Sequence, residues 1–235
     1  MVDFTHRSSE VEIMDTFSGT ISELETILQD INRVNKLLGG YSITLSAVFE
    51  MINKGHKESY TILDVGCAEG TMLRKLADEA RKHNIKVKLI GVDFNEQSLQ
   101  LAQQYSYNYP EISYVNTDIL KTDFSNSDID VVMSTLTLHH FTDNGIIKFV
   151  NRFVEIAKLG VVINDLERSP VAYSLFKAFS FFFIKTDIAK KDGLLSIRRA
   201  FKEEELKHFA SRVTNASHKI KWKWAFRYVW ILKKK

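Results

Sequence analysis

The chain has 235 residues and a net charge of +3, and 45% of its residues are hydrophobic and 26% charged. This composition is ordinary for a soluble globular protein, and so small a positive excess argues against a nucleic-acid partner. A single cysteine, Cys67, excludes an internal disulfide framework and a cysteine-based zinc site. The first residues lack the basic and apolar layout of a signal peptide, so we expect a cytoplasmic protein.

The N-terminal part of the chain predicts two helices before the first strand. Residues 1–20 are polar and show no periodic pattern, so we expect them to be mobile. Over residues 21–38 and again over 42–53, apolar residues recur at helical spacing, and a pair of glycines separates the two patterns. We therefore assign residues 1–55 to an N-terminal helical lid and residues 56–235 to an α/β domain.

The middle of the chain alternates short apolar runs with helical patterns. Five runs predict buried strands, at residues 62–65, 87–93, 112–116, 129–134 and 161–165. Such alternation is typical of right-handed βαβ units and of a parallel sheet. The predicted fold is a doubly wound, mostly parallel α/β sheet.

The segment after the fifth run predicts an apolar helix. Ser169 and Pro170 suit the first positions of a helix, and the apolar stretch that follows is too short to span a membrane. We predict a loop over residues 187–196 and a further helix over 203–213. The helical insertion at 167–200 is expected to contribute to the lid.

The C-terminus predicts an antiparallel hairpin. In residues 219–224 lysines alternate with isoleucine and tryptophan, and residues 226–232 form the second apolar run. Interleaved lysine and tryptophan side chains also occur on surfaces that bind single-stranded nucleic acid. Lysines on the solvent face near a sheet edge explain the alternation better.

Polar and small residues stand at the predicted end of every parallel strand, where ligands bind in open sheets. The first strand ends in a small-residue turn from Gly66 to Gly70, and the second ends at Asp93, which lies 23 residues beyond Gly70. That spacing is typical of a carboxylate that binds ribose hydroxyls. The other strands are followed by polar side chains at Asp118, His139, His140 and Asp165.

These strand ends resemble those of the class I S-adenosylmethionine-dependent methyltransferases. The matching segments are residues 62–70, 91–93, 117–119 and 128–132. The resemblance implies a Rossmann-like methyltransferase fold, with a seven-stranded sheet closed by the hairpin, and S-adenosylmethionine as the cofactor. Ala68 departs from the family, which usually has glycine there. A dehydrogenase that binds NAD would need a third glycine at Thr71 instead.

The family's motifs imply a set of cofactor-binding residues. The first motif holds the methionine and ribose end, Asp93 matches the acidic residue that binds the ribose, and Asp118 matches the one that binds the adenine amino group. The full set is Asp64, Gly66, Ala68, Gly70, Asp93, Phe94, Asp118, Ile119 and Thr135. Segments at 35–40, 138–141, 164–169 and 196–201 resemble a bacterial subgroup that methylates small molecules.

Methyl transfer requires a site that binds the methyl acceptor, and an oxygen acceptor also requires a base that removes its proton. His139 and His140 are the predicted catalytic residues, with His140 preferred, and no metal site is predicted. The candidate substrate residues are Tyr41, Asp165, Arg168, Tyr173 and Arg198. The arginines would hold an anionic group or, equally, cap helices and pair with nearby carboxylates.

The aromatic content of the two predicted lid segments favours a hydrophobic or phenolic acceptor and O-methylation. We also predict a small-molecule substrate, no nucleic-acid partner and a possible homodimer. The alternatives are a cofactor-binding protein without catalysis, which would serve as a partner or scaffold, and a nucleic-acid methyltransferase.

Overall fold

A seven-stranded sheet forms the core of the protein in the computed structural model, which describes residues 2–55, 57–124 and 127–235. In chain order the strands are β1 (Ser59–Val65), β2 (Lys86–Asp93), β3 (Ile112–Asn116), β4 (Val131–Thr135), β5 (Gly160–Leu166), β6 (Ala216–Lys223) and β7 (Arg227–Lys234). Their spatial order is β3-β2-β1-β4-β5-β7-β6. The first five strands are parallel, and β7 is antiparallel to both β5 and β6. The predicted fold class and hairpin are confirmed.

Eight α-helices accompany the sheet within the described residues. In chain order they are α1 (Ile21–Leu37), α2 (Gly40–Ile52), α3 (Thr71–Lys82), α4 (Glu96–Tyr105), α5 (Asp143–Ile156), α6 (Pro170–Phe183), α7 (Asp187–Arg199) and α8 (Glu203–Ser211). Two large apolar clusters result, one shared by the sheet with α2 and α3 and the other with α5 and α8. Met1 and His56, at which the two predicted domains begin, lie outside the described residues.

The strand order reverses between β1 and β4, and such a reversal leaves a crevice at the carboxyl edge of an open sheet. β1 lies between β2 and β4, so that Leu63 is opposite Ile90 on one side and Val132 on the other. Helices cover both faces of this strand, which explains why the adjacent Ile62 and Leu63 are both fully buried. The loops that follow the central strands therefore converge on one place.

The loop predicted over residues 187–196 is wrong, because the chain forms α7 there. Thr186 caps this helix by accepting a hydrogen bond from the backbone N–H of Ala189 at 3.4 Å. Gly193 lowers the helix propensity of the segment, but it serves packing, since a Cβ there would collide with the ring of Phe176 on α6. The glycine lets the two helices approach each other closely.

The predicted mobility of the N-terminal segment is wrong, because contacts with α7 fix this segment to the domain. The backbone N–H groups of Ile13 and Met14 both donate to the Asp192 carboxylate on α7, each at 2.9 Å. Ser8 adds a backbone hydrogen bond to the carbonyl of Arg198 at 3.1 Å. A polar segment without periodicity gives no sign of such long-range partners, so the sequence pattern could not reveal them.

The helix α6 exposes part of its apolar surface. Phe181 and Phe182 near its C-terminal end are 77% and 76% exposed, whereas Ala172 and Ser180 are buried. Of the helices that the structure describes, none combines the length and the apolarity needed to cross a bilayer.

Arg168, a predicted substrate residue, is a structural link between distant parts of the chain. Its guanidinium is fully buried and forms a two-pronged ion pair with Glu205, with N–O distances of 2.7 and 2.9 Å. It also donates to the backbone carbonyls of Phe4, Thr5 and Ala200. This side chain joins the N-terminal segment to the region of β5 and α8.

Replacing Arg168 by methionine should lower the free energy of unfolding by about 3 kcal/mol, because it leaves a partly buried carboxylate and three carbonyls without their donor. Urea unfolding measures the change. Arg212→Met, at an exposed arginine, is the control and should change the value by less than about 0.5 kcal/mol. An Arg168→Met variant of normal stability that binds the acceptor poorly would instead make Arg168 a substrate ligand.

Candidate active site

A cavity of about 1040 Å³ lies at the carboxyl ends of β1, β2, β4 and β5. Its upper wall comes from α1, α6 and α7, so both predicted lid segments contribute to it. Most of this wall is apolar, through Leu28, Ile31, Val34, Leu175, Phe176 and Phe179. Small-molecule sites have this character, with an apolar surface and a few polar groups that orient the ligand.

The loop between β1 and α3 runs along the cavity in an unusual backbone conformation. Gly66, Ala68 and Gly70 all have positive φ angles, of 79°, 47° and 76°. A Cβ at Gly66 would collide with the side chain of Thr137, so glycine is required there. Ala68 adopts the left-handed conformation despite its Cβ, at a cost of roughly 1–2 kcal/mol. The result is a bare stretch of backbone that a ligand can approach closely.

Two carboxylates flank this loop. The Asp64 side chain is buried and lines the cavity, and within the described residues its Oδ1 atom has no hydrogen-bond partner. Burial, together with Asp93 and Glu69, raises the pKa of Asp64 to about 8. The Asp93 oxygens accept hydrogen bonds from the backbone N–H groups of Ala68 (2.8 Å) and Asn95 (2.9 Å). Asp93 is thereby fixed at the end of β2, although burial raises its pKa as well.

The far end of the cavity, beyond Asp93, is lined by Phe94, Thr117 and Ile119. Phe94 is 62% exposed, which is unusual for such a large apolar side chain, whereas Ile119 is buried. Asp118 does not itself line the cavity. Its carboxylate accepts a hydrogen bond from the backbone N–H of Leu120 at 2.9 Å and lies 3.4 Å from Lys121 Nζ.

A chain of polar contacts ties α1 and α2 to the β1–α3 loop. The Tyr41 hydroxyl on α2 donates to Asn32 Oδ1 on α1, and Asn32 in turn donates to Glu69 Oε1 at 2.7 Å. Tyr41 lines the cavity, and burial raises its pKa. Thr135 at the end of β4 also lines the cavity, where its hydroxyl lies 3.0 Å from that of Thr44. These contacts hold α1 and α2 over the strand ends.

His139 follows β4 and is buried against β5. Its Nδ1 lies 2.7 Å from Asp165 Oδ1, and its backbone N–H donates to the other oxygen of Asp165 at 3.2 Å. Burial alone would lower the pKa of His139, but Asp165 and Glu12 outweigh it and raise the pKa to about 9. Asp165 does not line the cavity and acts on it only through this ring.

His140 stacks on His139, with ring centroids 4.3 Å apart, and is the more exposed of the two. Its Nδ1 lies 2.8 Å from Asp15 Oδ1. Glu12 faces both rings, with Oε1 at 3.5 Å from His139 Nε2 and Oε2 at 3.9 Å from His140 Nε2. We call Glu12, Asp15, His139, His140 and Asp165 the histidine cluster.

Two arginines hold the backbone of this cluster. Arg199 at the end of α7 donates to the carbonyls of His139 (3.2 Å) and His140 (2.7 Å). Arg7 donates to the carbonyls of His139 (3.0 Å) and Phe141 (2.9 Å). Sequence reasoning missed Glu12, Asp15 and Arg7, because only the tertiary fold brings the N-terminal segment to β4.

Arg227 at the start of β7 is a further residue that the sequence did not single out. It is buried, lines the cavity and donates to Asn35 Oδ1 at 2.8 Å. Its Nε and Nη1 atoms have no hydrogen-bond partner among the described residues. Burial lowers the pKa of Arg227 to about 10. The cavity thus contains a cation next to its apolar wall.

Ten of the predicted site residues line the cavity together: Tyr41, Asp64, Gly66, Ala68, Asp93, Phe94, Ile119, Thr135, His139 and His140. The predicted substrate residues Arg168, Tyr173 and Arg198 lie outside it. Tyr173 packs edge-on against Phe4, and Arg198 pairs with Glu10 at 2.5 Å. We leave these three out of the substrate site.

Comparison with known families agrees with this geometry. Residues 62–160, from β1 to the start of β5, match the family model described as a methyltransferase domain. By this match, residues 62–160 of the chain form a methyltransferase domain. The predicted family is thereby confirmed. Among curated proteins no sequence matches the methyltransferase chain significantly.

Solved methyltransferases share the fold. The plantazolicin methyltransferase BamL, crystallised with a triazolic desmethylPZN analog and SAH, superposes with a TM-score of 0.65 at 17% identity, over 91% of each chain. BpumL, another plantazolicin methyltransferase, superposes with a TM-score of 0.66 at 14% identity, over 92% of this chain and 98% of its own. Magnesium protoporphyrin IX methyltransferase from Synechocystis PCC 6803 superposes with a TM-score of 0.56 at 14% identity, over 83% of this chain and 84% of its own. At these identities the likeness extends to the fold alone.

Replacing Asp64 by asparagine should remove a pH-dependent loss of stability. Because the pKa of Asp64 rises from 3.8 to about 8 on folding, the folded state binds the proton more tightly than the unfolded chain. Relative to the Asp64→Asn variant, the wild type should lose stability as pH rises through this window, by up to about 1.4 kcal/mol per pH unit. Urea unfolding between about pH 5 and about pH 9 measures it, and parallel curves for the two proteins would contradict the account.

Proposed function

We propose that this methyltransferase transfers a methyl group from S-adenosylmethionine to an oxygen atom of a small hydrophobic or phenolic acceptor. The observation that carries the proposal is one continuous cavity, which joins the bare β1–α3 loop and Asp93 to an apolar chamber and to the histidine cluster. The solved structures of similar fold, which were crystallised with SAM or its product SAH, support the choice of cofactor.

The residues along the loop fit the cofactor. The positive φ angles at Gly66 and Ala68 leave backbone open to the methionine portion. The Asp64 oxygen, which has no partner in the described part of the chain, suits its ammonium group. In this proposal Asp93, which backbone N–H groups hold, accepts hydrogen bonds from the ribose hydroxyls, and the exposed ring of Phe94 packs against the adenine. The cofactor supplies a methyl group that is activated on a sulfonium, so the protein's main task is alignment.

The apolar chamber suits the acceptor. Its wall is formed by aliphatic and aromatic side chains of α1 and α6, among them Ile31, Phe176 and Phe179. A flat or hydrophobic molecule gains free energy by leaving water for such a surface. Arg227 adds a positive charge to this wall, and that charge suits an acceptor oxygen that becomes an anion before the transfer.

A hydroxyl acceptor must lose its proton, and we place this event at the histidine cluster. With a pKa of about 9, His139 is protonated at neutral pH and is not a free base. His140 is the more exposed of the two histidines and lines the cavity. We therefore propose that ionisation of the acceptor hydroxyl depends on His140. The predicted homodimer, cytoplasmic location and lack of a nucleic-acid substrate stay predictions.

A methyl-transfer assay with labelled S-adenosylmethionine and a panel of hydrophobic phenols tests the proposal. We expect transfer to free phenols and none to the same compounds with the oxygen already methylated. His140→Gln should lower turnover by about 10²–10⁴-fold, because ionisation of the acceptor is lost, while SAH affinity stays within about twofold.

His83→Gln is the matched control, because His83 lies on the exposed surface of the protein and pairs with Glu79, away from the cavity. It should leave turnover unchanged. Transfer to the blocked phenols, or normal turnover of the His140→Gln variant, would contradict O-methylation at the histidine cluster. No transfer to any acceptor despite SAH binding would favour the partner or scaffold alternative.

A further inference from the structure

We propose that Glu12, His139 and His140 bind a divalent transition-metal ion at the acceptor end of the cavity. The role of this ion rests on the proposed O-methylation, but the site itself rests on the geometry of three side chains. Each offers one ligand atom, and the three atoms lie within 4.8 Å of one another. Two imidazoles and a carboxylate are a set that transition metals favour over Mg²⁺ or Ca²⁺.

The distances between the ligand atoms are close to those of a metal centre. An ion about 2.0–2.2 Å from each ligand places neighbouring ligand atoms about 3.0–3.6 Å apart. Glu12 Oε1 lies 3.5 Å from His139 Nε2, and Glu12 Oε2 lies 3.9 Å from His140 Nε2. Glu12 offers a different oxygen to each ring, and the three ligand atoms lie within 4.8 Å of one another, so side-chain shifts of about 1 Å would complete the site.

Both imidazole rings are oriented as metal ligands usually are. In each ring Nδ1 faces a carboxylate, Asp165 at 2.7 Å from His139 and Asp15 at 2.8 Å from His140. At His139 this contact is a hydrogen bond that fixes the tautomer in which Nδ1 carries the proton, and an ion at Nε2 would displace the proton that this nitrogen carries in the metal-free protein. His140 Nδ1 is within ion-pair distance of Asp15 but has no hydrogen-bond partner among the described residues. In this structure both Nε2 atoms point to the same carboxylate, that of Glu12.

Two atoms at the centre of the site are buried without a hydrogen-bond partner. Within the described part of the chain, neither Glu12 Oε1 nor His139 Nε2 forms a hydrogen bond, and their residues are only 4% and 2% exposed. Such groups are costly to bury unless a ligand completes them. Arg199 Nε lies 3.8 Å from Glu12 Oε1, but its N–H donates to the His139 carbonyl instead.

The charge around the site also favours a cation. Three carboxylates surround it, those of Glu12, Asp15 and Asp165, and Arg199 lies near the first two of them. An ion at this point would face the cavity, which His139 and His140 both line. Three protein ligands leave further coordination positions open for a water molecule or an acceptor oxygen.

The ion would act as a Lewis acid on the acceptor. Coordination of the acceptor's hydroxyl oxygen lowers its pKa, and the proton leaves to solvent water. The oxyanion then attacks the methyl carbon, the new O–C bond forms as the C–S bond breaks, and the bonding electrons return to sulfur in neutral SAH. One proton is released for each methyl group transferred.

Titration of untagged, chelator-treated full-length protein with Zn²⁺, Mn²⁺ and Co²⁺ tests the site by calorimetry, with the visible spectrum of bound Co²⁺ as a second measurement. We expect one ion per chain. Glu12→Gln should weaken binding by at least about tenfold, and Asp15→Asn, which alters the contact of Asp15 with His140 and its ion pair with Arg199, by about 10–100-fold. Circular dichroism checks that each variant is folded.

His83→Gln is the control, because His83 and Glu79 form an exposed pair, four residues apart in the chain, that could hold an adventitious ion. It should leave binding unchanged. No binding of any of the three ions, or binding lost in the His83→Gln variant and kept in the Glu12→Gln variant, would overturn the metal site. Transfer to phenols without metal would leave the proposed function standing and overturn the role of the ion. Metal binding without SAH binding would overturn the proposed function, and with it the role of the ion, and would leave the metal site standing.

Discussion

The contact between His139 and Asp165 is the interaction on which the acceptor end of the cavity depends. Both groups are fully buried, and each would be costly to bury without the other. Burial alone would raise the pKa of Asp165, but the neighbouring imidazole outweighs it and lowers the pKa. Because Asp165 belongs to β5 and His139 follows β4, the pair locks the turn after β4 onto the adjacent strand.

The rest of the histidine cluster and its supporting contacts are assembled around this pair. The N-terminal segment brings Glu12 and Asp15 to the two imidazole rings, and α7 brings Arg199 to their carbonyls. The other half of the cavity is built differently, from the β1–α3 loop and the end of β2, which are close in the chain. One half of the cavity therefore depends on local backbone geometry and the other on contacts between distant segments.

This difference between the two halves of the cavity explains which features of the site could be predicted from the sequence. The strands, the turn from Gly66 to Gly70 and Asp93 have local signals, namely apolar runs, glycines at positive φ and a fixed spacing, and they lie as expected. The histidine pair was found because it closely follows a strand. Glu12 and Asp15 were not, because a polar segment without periodicity does not indicate its partners.

Two arginines and one glycine also have roles that the sequence pattern does not indicate. Arg168 and Arg227 are both buried, yet one forms an internal ion pair and the other faces the cavity with N–H groups that have no partner among the described residues. Only the tertiary structure separates these roles. Gly193 is typical of a loop, although here it is a helix residue that makes room for Phe176. In each case the role depends on a neighbour that another element of the fold supplies.

The most direct test of the account is calorimetric titration of SAH into the wild type and into Asp93→Ala, with folding of both checked by thermal unfolding. We expect one site per wild-type chain with micromolar affinity, and at least about a tenfold loss of affinity in the variant, because the ribose hydroxyls lose the carboxylate that binds them. A wild type that binds neither SAH nor S-adenosylmethionine, or a folded Asp93→Ala variant that binds as tightly as the wild type, would contradict it.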